Sequence, residues 1–309
     1  MIIRNKGFNL IELMVSILVA SIIVGGLYSL MTSSVVNFGF SKGNAVAGSS
    51  SRRIDVTFNA LLFQTGYVNY LRVMQDPHFM ATNVGNGLFN GWAEDQVVAV
   101  QRDTSTQANG SDMIKIRFYG SSVADNVSTG VGSDADGYIF DCMGQPVSNN
   151  QEMELIFYVR SNGLICHQRD LSHNDSGQNV VVDPNVAHMR IQVGTSVGGS
   201  VGQAGAKSSF YRVGNNGLKD DAIISAVSGD SSSLPTWPQI NLIRYALVLA
   251  VPSGQKMVKQ TPAYTLFPDD STVVYQVPTD ADAKARNVND SDNRVHRIVN
   301  GNVQIINKL

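Results

Sequence analysis

The sequence is poor in the signatures of catalysis. It contains no Walker phosphate loop, no dinucleotide-binding glycine fingerprint and no HExxH pair, which leaves nucleotide hydrolysis, hydride transfer and zinc proteolysis without their usual residue sets. Charge is sparse too. Only 16% of residues are Asp, Glu, Lys or Arg, and the net charge is −2, a balance that excludes a broad nucleic-acid-binding face while leaving room for a local patch. No internal repeat occurs. Cysteine is limited to Cys142 and Cys166, so any covalent staple is a single one. With 309 residues, 43% of them hydrophobic, the chain can still bury a core for one large domain or two small ones.

What is abundant is apolar sequence, and it is concentrated at one end. After "MIIRNKG", the run from Phe8 to Met31 spans about 24 residues, longer than the 7–15-residue core of a secretory signal and long enough to cross a bilayer. The residues that follow, "TSSVVNFGF", offer no small-x-small cleavage site. Arg4 and Lys6 on the N-terminal side orient the span with that end in the cytoplasm and the bulk of the chain outside. Two cysteines in a chain exported in this way are most simply a disulfide, the alternative being two free buried thiols. Closing a loop of about 25 residues would stabilise the fold by roughly 3.5 kcal/mol on the chain-entropy account.

Glu12 breaks the apolar run. A carboxylate deep in a membrane helix costs on the order of 2.5–3.5 kcal/mol and needs a partner, unless it lies near enough to the end to snorkel to the headgroups. A second feature adjoins it: "KG|FNLIE" places a small residue directly before an aromatic one, with Glu as the fifth residue downstream.

The basic leader, Gly7, Phe8, Glu12 and the uninterrupted apolar helix together resemble the class III leader of type IV pilins and type II secretion pseudopilins. The resemblance implies that a membrane prepilin peptidase cuts between Gly7 and Phe8 and methylates the new amine of Phe8. It also implies that Glu12 pairs with the N-terminal amine of a neighbouring subunit. The expected organisation is a leader over 1–7, a pilin helix over 8–66 with its membrane-spanning part at 8–31, and an extracytoplasmic head over 67–309. Removal of the leader takes two basic residues, lowering 23 to 21 against 25 acidic and the net charge from −2 to −4.

Beyond the membrane run, Gly39, Gly43 and Gly48 lower helix propensity and predict local melting. The helix then resumes with Ile54, Phe58, Leu61 and Leu62 on one stripe, and Gly66 ends it. Later the period falls to two. "DMIKIRFYG" and "QEMELIFYV" alternate apolar with polar residues and predict half-buried strands, and Asn162-Gly163 predicts a hairpin turn after the second. Further strands are expected in "VAHMRIQVG", "INLIRYALVLAVP", "STVVYQVP" and "HRIVNGNVQII". The stretches "VGTSVGGSVGQAGAKSS" and "VSGDSSSLPTWP" predict long surface loops. The class is α+β: a type IV pilin-like fold, a long N-terminal helix packed on an antiparallel β-sheet head.

Three further segments resemble the PilW-type minor pilins. These are the cysteine-bearing "DCMGQPV" with "MELIFYVRSNGLICHQ", the strand "NVAHMRIQVG", and the ending "NRVHRIVNGNVQIINKL". Where that family continues with Tyr-Gly-x-Asp and an acidic turn, this chain has "VGTSVGGSVGQAGAKSSFY", so no role of that turn carries over. Residues 70–110 have no counterpart.

Candidate ligand sites are few. "SDADGYIFD" sets Asp134, Asp136 and Asp141 around Gly137 as a partial calcium loop, without the distal Glu; a polar turn before a strand explains the same letters. Asp290 and Asp292 form a weaker version. His167, His173 and Asp170 neighbour Cys166, but a disulfide is the better use of that thiol. Trp92 and Trp237 stand in loop-like sequence, as binding anchors or as packing residues. No cofactor is expected. The resemblance implies a structural, non-enzymatic minor pilin, held in the inner membrane with a periplasmic head and then in the pilus with other minor pilins and the major pilin. It would initiate or cap the filament in support of adhesion, twitching or DNA uptake. The alternatives are a J-type pseudopilin of a type II secretion system and, from another class, a membrane-anchored ligand-binding or adhesive protein.

Overall fold

The computed structural model describes residues 10–69, 79–82, 88–89, 91–103, 105, 110–122, 134–161, 163–173, 175–197, 207–213, 224–226, 240–252, 263–268, 270–277 and 294–305. Helix α1, Leu10–Phe63, is 54 residues long, about 80 Å at 1.5 Å per residue. Its two halves differ. Residues 10–38 are exposed throughout, whereas buried positions begin at Gly43 and recur at Ala47, Ser50, Ser51, Ile54, Phe58, Leu61 and Leu62. Steps of three and four make these one stripe.

The expected melting around the glycines does not occur, and α1 is continuous through Gly39, Gly43 and Gly48. Packing explains it. Ala47 lies against Val251 and Val295, and a Cβ at Gly48 would stand 3.5 Å from the Arg297 guanidinium. Small residues let the helix approach the sheet closely, and that contact outweighs the ~1 kcal/mol each glycine costs relative to alanine.

Among the described residues the head forms two five-stranded antiparallel sheets, where the sequence suggested one. The first is a meander of β1 (Val98–Arg102), β2 (Asp112–Tyr119), β3 (Glu152–Arg160), β4 (Gly163–Asp170) and β5 (Gln178–Asp183). Arg160 pairs with Gly163, which closes the β3–β4 hairpin; Asn162 of the expected turn lies outside the described residues. Gly163 has φ +98°, and a Cβ there would meet the Asp183 carbonyl oxygen at 2.2 Å; glycine is required on both counts. The second sheet has the order β12 (Arg294–Gln304), β9 (Leu242–Pro252), β6 (Val186–Val197), β7 (Lys207–Val213) and β8 (Ile224–Ala226). A hairpin of β10 (Ala263–Phe267) and β11 (Asp270–Gln276) covers its outer face, with Leu266, Phe267, Val273 and Tyr275 on Ala246 and Val248. The Gly/Ser-rich stretch expected as a loop instead supplies the paired ends of β6 and β7, with Val197 opposite Lys207.

Helix and sheets share one core. Phe58 meets Phe157 of β3 at 5.0 Å and Tyr245 of β9 at 4.9 Å, edge to face in both cases. The Tyr245 hydroxyl donates to Asp55 of the helix at 2.8 Å, and burial together with that carboxylate pushes its pKa up. Across the register from Tyr245 stands Gly301, where a Cβ would fall 2.2 Å from the ring. The tyrosine lies over a glycine, as aromatic cross-strand partners do. Asp183 fastens α1 to β5: it is fully buried and accepts from Ser50 at 2.5 Å and Arg53 at 2.7 Å. Asp112 joins the two sheets, paired with Arg102 at 2.8 Å and Arg190 at 3.2 Å and accepting the Ile191 N–H at 2.9 Å.

β2 and β3 are not half-buried as their alternation suggested. Every residue from Asp112 to Val159 within these two strands is buried, including Lys115, Arg117, Glu152 and Glu154. The outer face is covered by residues in 79–97. Lys115 Nζ sits 4.0 Å from the Trp92 ring centre and donates to the Gly91 carbonyl at 2.7 Å. Trp92 Nε1 donates to Glu154 at 2.6 Å, and Glu154 pairs with Arg169 at 2.9 Å. The Arg117 guanidinium lies 4.8 Å from both the Phe79 and the Trp92 ring centres. Charges on a sheet face are here enclosed by aromatic rings and satisfied by carbonyls and carboxylates, the condition under which burial is tolerated.

Cys142 and Cys166 form a disulfide. It anchors the turn after Phe140 to β4, and Gln168 brackets the same turn by accepting from the Cys142 N–H at 3.0 Å and donating to Asp141 at 2.8 Å. Thiol labelling of the unfolded, unreduced protein should therefore find no reactive cysteine. Replacing both cysteines by alanine should lower stability by roughly 2–4 kcal/mol in urea titrations, and two labelled thiols in the unfolded, unreduced protein would refute the bridge.

Candidate functional site

The N-terminal half of α1 is exposed along its length. By length and composition it can cross a membrane, and none of its apolar window is buried. Leu10, Ile11, Met14, Ile17, Leu18, Ile22, Leu27 and Leu30 are all more than half exposed. Apolar residues go all round the helix rather than along one stripe, so it needs a surrounding medium of lipid or of packed helices.

Its hydroxyls already suit such a medium. Ser16 donates to the Glu12 carbonyl at 2.7 Å, Ser21 to Leu18 at 2.8 Å, and Thr32 to Tyr28 and Ser29 at 3.1 and 2.9 Å. These three hydroxyls are returned to their own backbone, which removes the desolvation cost that an unsatisfied group pays in hydrocarbon. Glu12 is exposed in the first turn. A negative charge there complements the positive end of the helix dipole. Gly7 and Phe8 lie outside the described residues.

The other sequence candidates resolve into structural roles. Asp136 caps a turn, accepting from the Tyr138 N–H at 2.9 Å and from Ser121 at 2.5 Å. Asp141 accepts the N–H groups of Met143 and Gln145, each at 2.8 Å. Among the described residues no three His, Cys, Asp or Glu side chains gather as a metal site, so Asp134, Asp136 and Asp141 are not brought together as the calcium reading requires. His173 contacts Asp170 at 2.7 Å and His167 contacts Asn179 at 2.9 Å. Trp92 is a packing residue, whereas Trp237, Asp290 and Asp292 lie outside the described residues. The letters G-x-S-x-G occur at 194–198, but Gly194–Val197 are paired inside β6, not set on the strand-to-helix turn of a nucleophile elbow.

Sequence reasoning missed a groove at the other end of α1. It has a volume of about 710 Å³ and is formed by Asn59, Phe63 and Gln64 of the helix end, Tyr138–Phe140, and Asn302–Gln304 of β12. Three segments distant in sequence meet there, and no local motif marks them.

The family model "Prokaryotic N-terminal methylation motif" matches residues 3–28. No curated protein matches the chain. Among solved structures, a type IV-like pilin from Thermus thermophilus aligns over 84% of this chain and 98% of its own, at 12% identity and a TM-score of 0.40. Residues 3–28 thus carry a prokaryotic N-terminal methylation motif, the type IV prepilin leader, at the head of a long apolar helix that continues into an antiparallel β head.

Proposed function

We propose that the chain is a minor pilin of the PilW type, a structural subunit that helps to start or cap a type IV pilus. The observation that carries this reading is the prepilin leader joined to a helix whose first half is apolar on all sides and uncovered. Before assembly that half lies in the inner membrane with the head in the periplasm; in the filament it packs among the corresponding helices of other minor pilins and the major pilin. Contacts of this kind are heterologous and build open helical assemblies. The enzyme-free reading follows from the same role. Glu12 supplies a negative charge that meets the methylated amine of Phe8 on a neighbouring subunit, since a charge enclosed among helices needs an opposite one nearby.

Mass spectrometry of the protein from membranes and from sheared filaments tests this. The expected mature chain begins at Phe8 with one added methyl group, and Gly7→Val should accumulate as uncut precursor. An intact Met1, or a cut after Met31, would overturn the pilin reading. Recovery with secretion machinery and never with pili would instead indicate a pseudopilin.

A further inference from the structure

We infer that the groove between the C-terminal end of α1, the turn at 138–140 and the end of β12 binds an uncharged saccharide. Its walls combine aromatic rings with amides: Phe63, Tyr138 and Phe140 beside Asn59, Asn302 and Gln304. The volume, about 710 Å³, falls in the range of small-ligand sites, which are mostly apolar with a few placed polar groups. Flat rings can cover the C–H face of a sugar, while side-chain amides both donate to and accept from hydroxyls. The Asn302 and Gln304 amides and the Tyr138 hydroxyl make no hydrogen bond among the described residues and are available for a ligand.

Charge selects the class. Among the described residues no Asp, Glu, Lys, Arg or His lines the groove, so a charged ligand would find no counter-charge on these walls. Gln64 clamps the Phe140 backbone, donating to its carbonyl at 3.0 Å and accepting from its N–H at 2.8 Å. The same clamp, the Asp136 cap and the disulfide at Cys142 hold the backbone of the turn in place, so less of it has to be ordered on binding. The position also fits an external ligand. From Met31 to Asn59 the helix advances about 40 Å, which places the groove at the end of the head remote from the apolar segment.

The test uses the full-length protein in nanodiscs of zwitterionic phospholipid, which avoids sugar-based detergents. Saturation-transfer NMR is recorded with maltotriose, cellotriose, chitotriose and N-acetyllactosamine, and with sialyllactose as the charged control. At least one neutral sugar should bind in preference to the charged one. Tyr138→Ala and Asn302→Ala should each weaken binding by about tenfold or more. Tyr138 is 80% exposed and Asn302 is also exposed, so both variants should keep the wild-type melting temperature. No neutral sugar binding, binding indifferent to both substitutions, or preference for the charged sugar would overturn the site. The inference stands on the head alone, and its failure leaves the leader-cleavage result untouched.

Discussion

Arg117→Ala should be the most damaging single substitution in the head, lowering stability by roughly 3–5 kcal/mol, the usual effect of removing one partner from a buried ionic network. The Arg117 side chain is fully buried on the outer face of β2. It donates to the carbonyls of Gln96 at 2.5 Å, Met80 at 2.7 Å and Ala93 at 2.8 Å, and pairs with Glu152 at 3.4 Å. Burial lowers its pKa, and Glu152 opposes that shift. Truncation would strand three acceptors, weaken the environment of a buried carboxylate and leave a void between Phe79 and Trp92. Arg117→Lys should recover little, because an ammonium cannot span carbonyls in a planar fork or stack between two rings. Urea titration of the variants in nanodiscs measures this. A loss under about 1 kcal/mol for Arg117→Ala would mean that the covering layer is peripheral rather than part of the fold.

That layer marks where the sequence was hard to read. The core-facing stripe of α1 was legible because Ile54, Phe58, Leu61 and Leu62 repeat at helical spacing and all are buried. The apolar positions of β2 and β3 were legible by alternation. The same alternation misled on the other face, since Lys115, Arg117 and Glu154 have the letters of a solvated surface. A signal was nonetheless present: opposite charges face one another across the strands, with Arg117 against Glu154, and a separate segment carries Phe79, Phe89 and Trp92. Only folding shows that these rings cover those charges. β7 was hidden for a different reason. Glycines and serines between Val197 and Lys207 hide a hairpin whose strands are held by backbone pairing rather than by a strong strand propensity.

The candidate sites divide in the same way. The leader is local, compressed into residues 3–28, and could be read directly. Asp134, Asp136 and Asp141 were also read locally, but three nearby carboxylates serve turns as readily as cations until their partners are known. The groove at the end of α1 could not be read at all, because its walls come from three separate stretches of sequence, 59–67, 138–140 and 302–304. Each of its side chains is ordinary in its own segment, and the chemistry exists only in their juxtaposition.

Glu12→Val should abolish incorporation into filaments while leaving the protein in the membrane. Removing the carboxylate makes the isolated helix easier to hold in lipid, by on the order of 2.5–3.5 kcal/mol on insertion scales if the charge lies deep. Processing should continue, because the substitution leaves the proposed Gly7–Phe8 junction unchanged. Assembly is different. Once helices pack together and exclude water, the amine at Phe8 would lack its counter-charge, and an unpaired buried charge costs more than a buried pair. The variant should therefore be cut, methylated and retained in the inner membrane, yet absent from the sheared-pilus fraction, and piliation should fall if this subunit helps to start filaments. Glu12→Gln separates charge from size and should fail nearly as completely. A snorkelling carboxylate makes the opposite prediction, near-normal recovery of both variants in pili, since its role would end at the headgroups. Immunoblots of membrane and sheared fractions distinguish the two, and normal recovery of Glu12→Val in filaments would remove Glu12 as the registering charge.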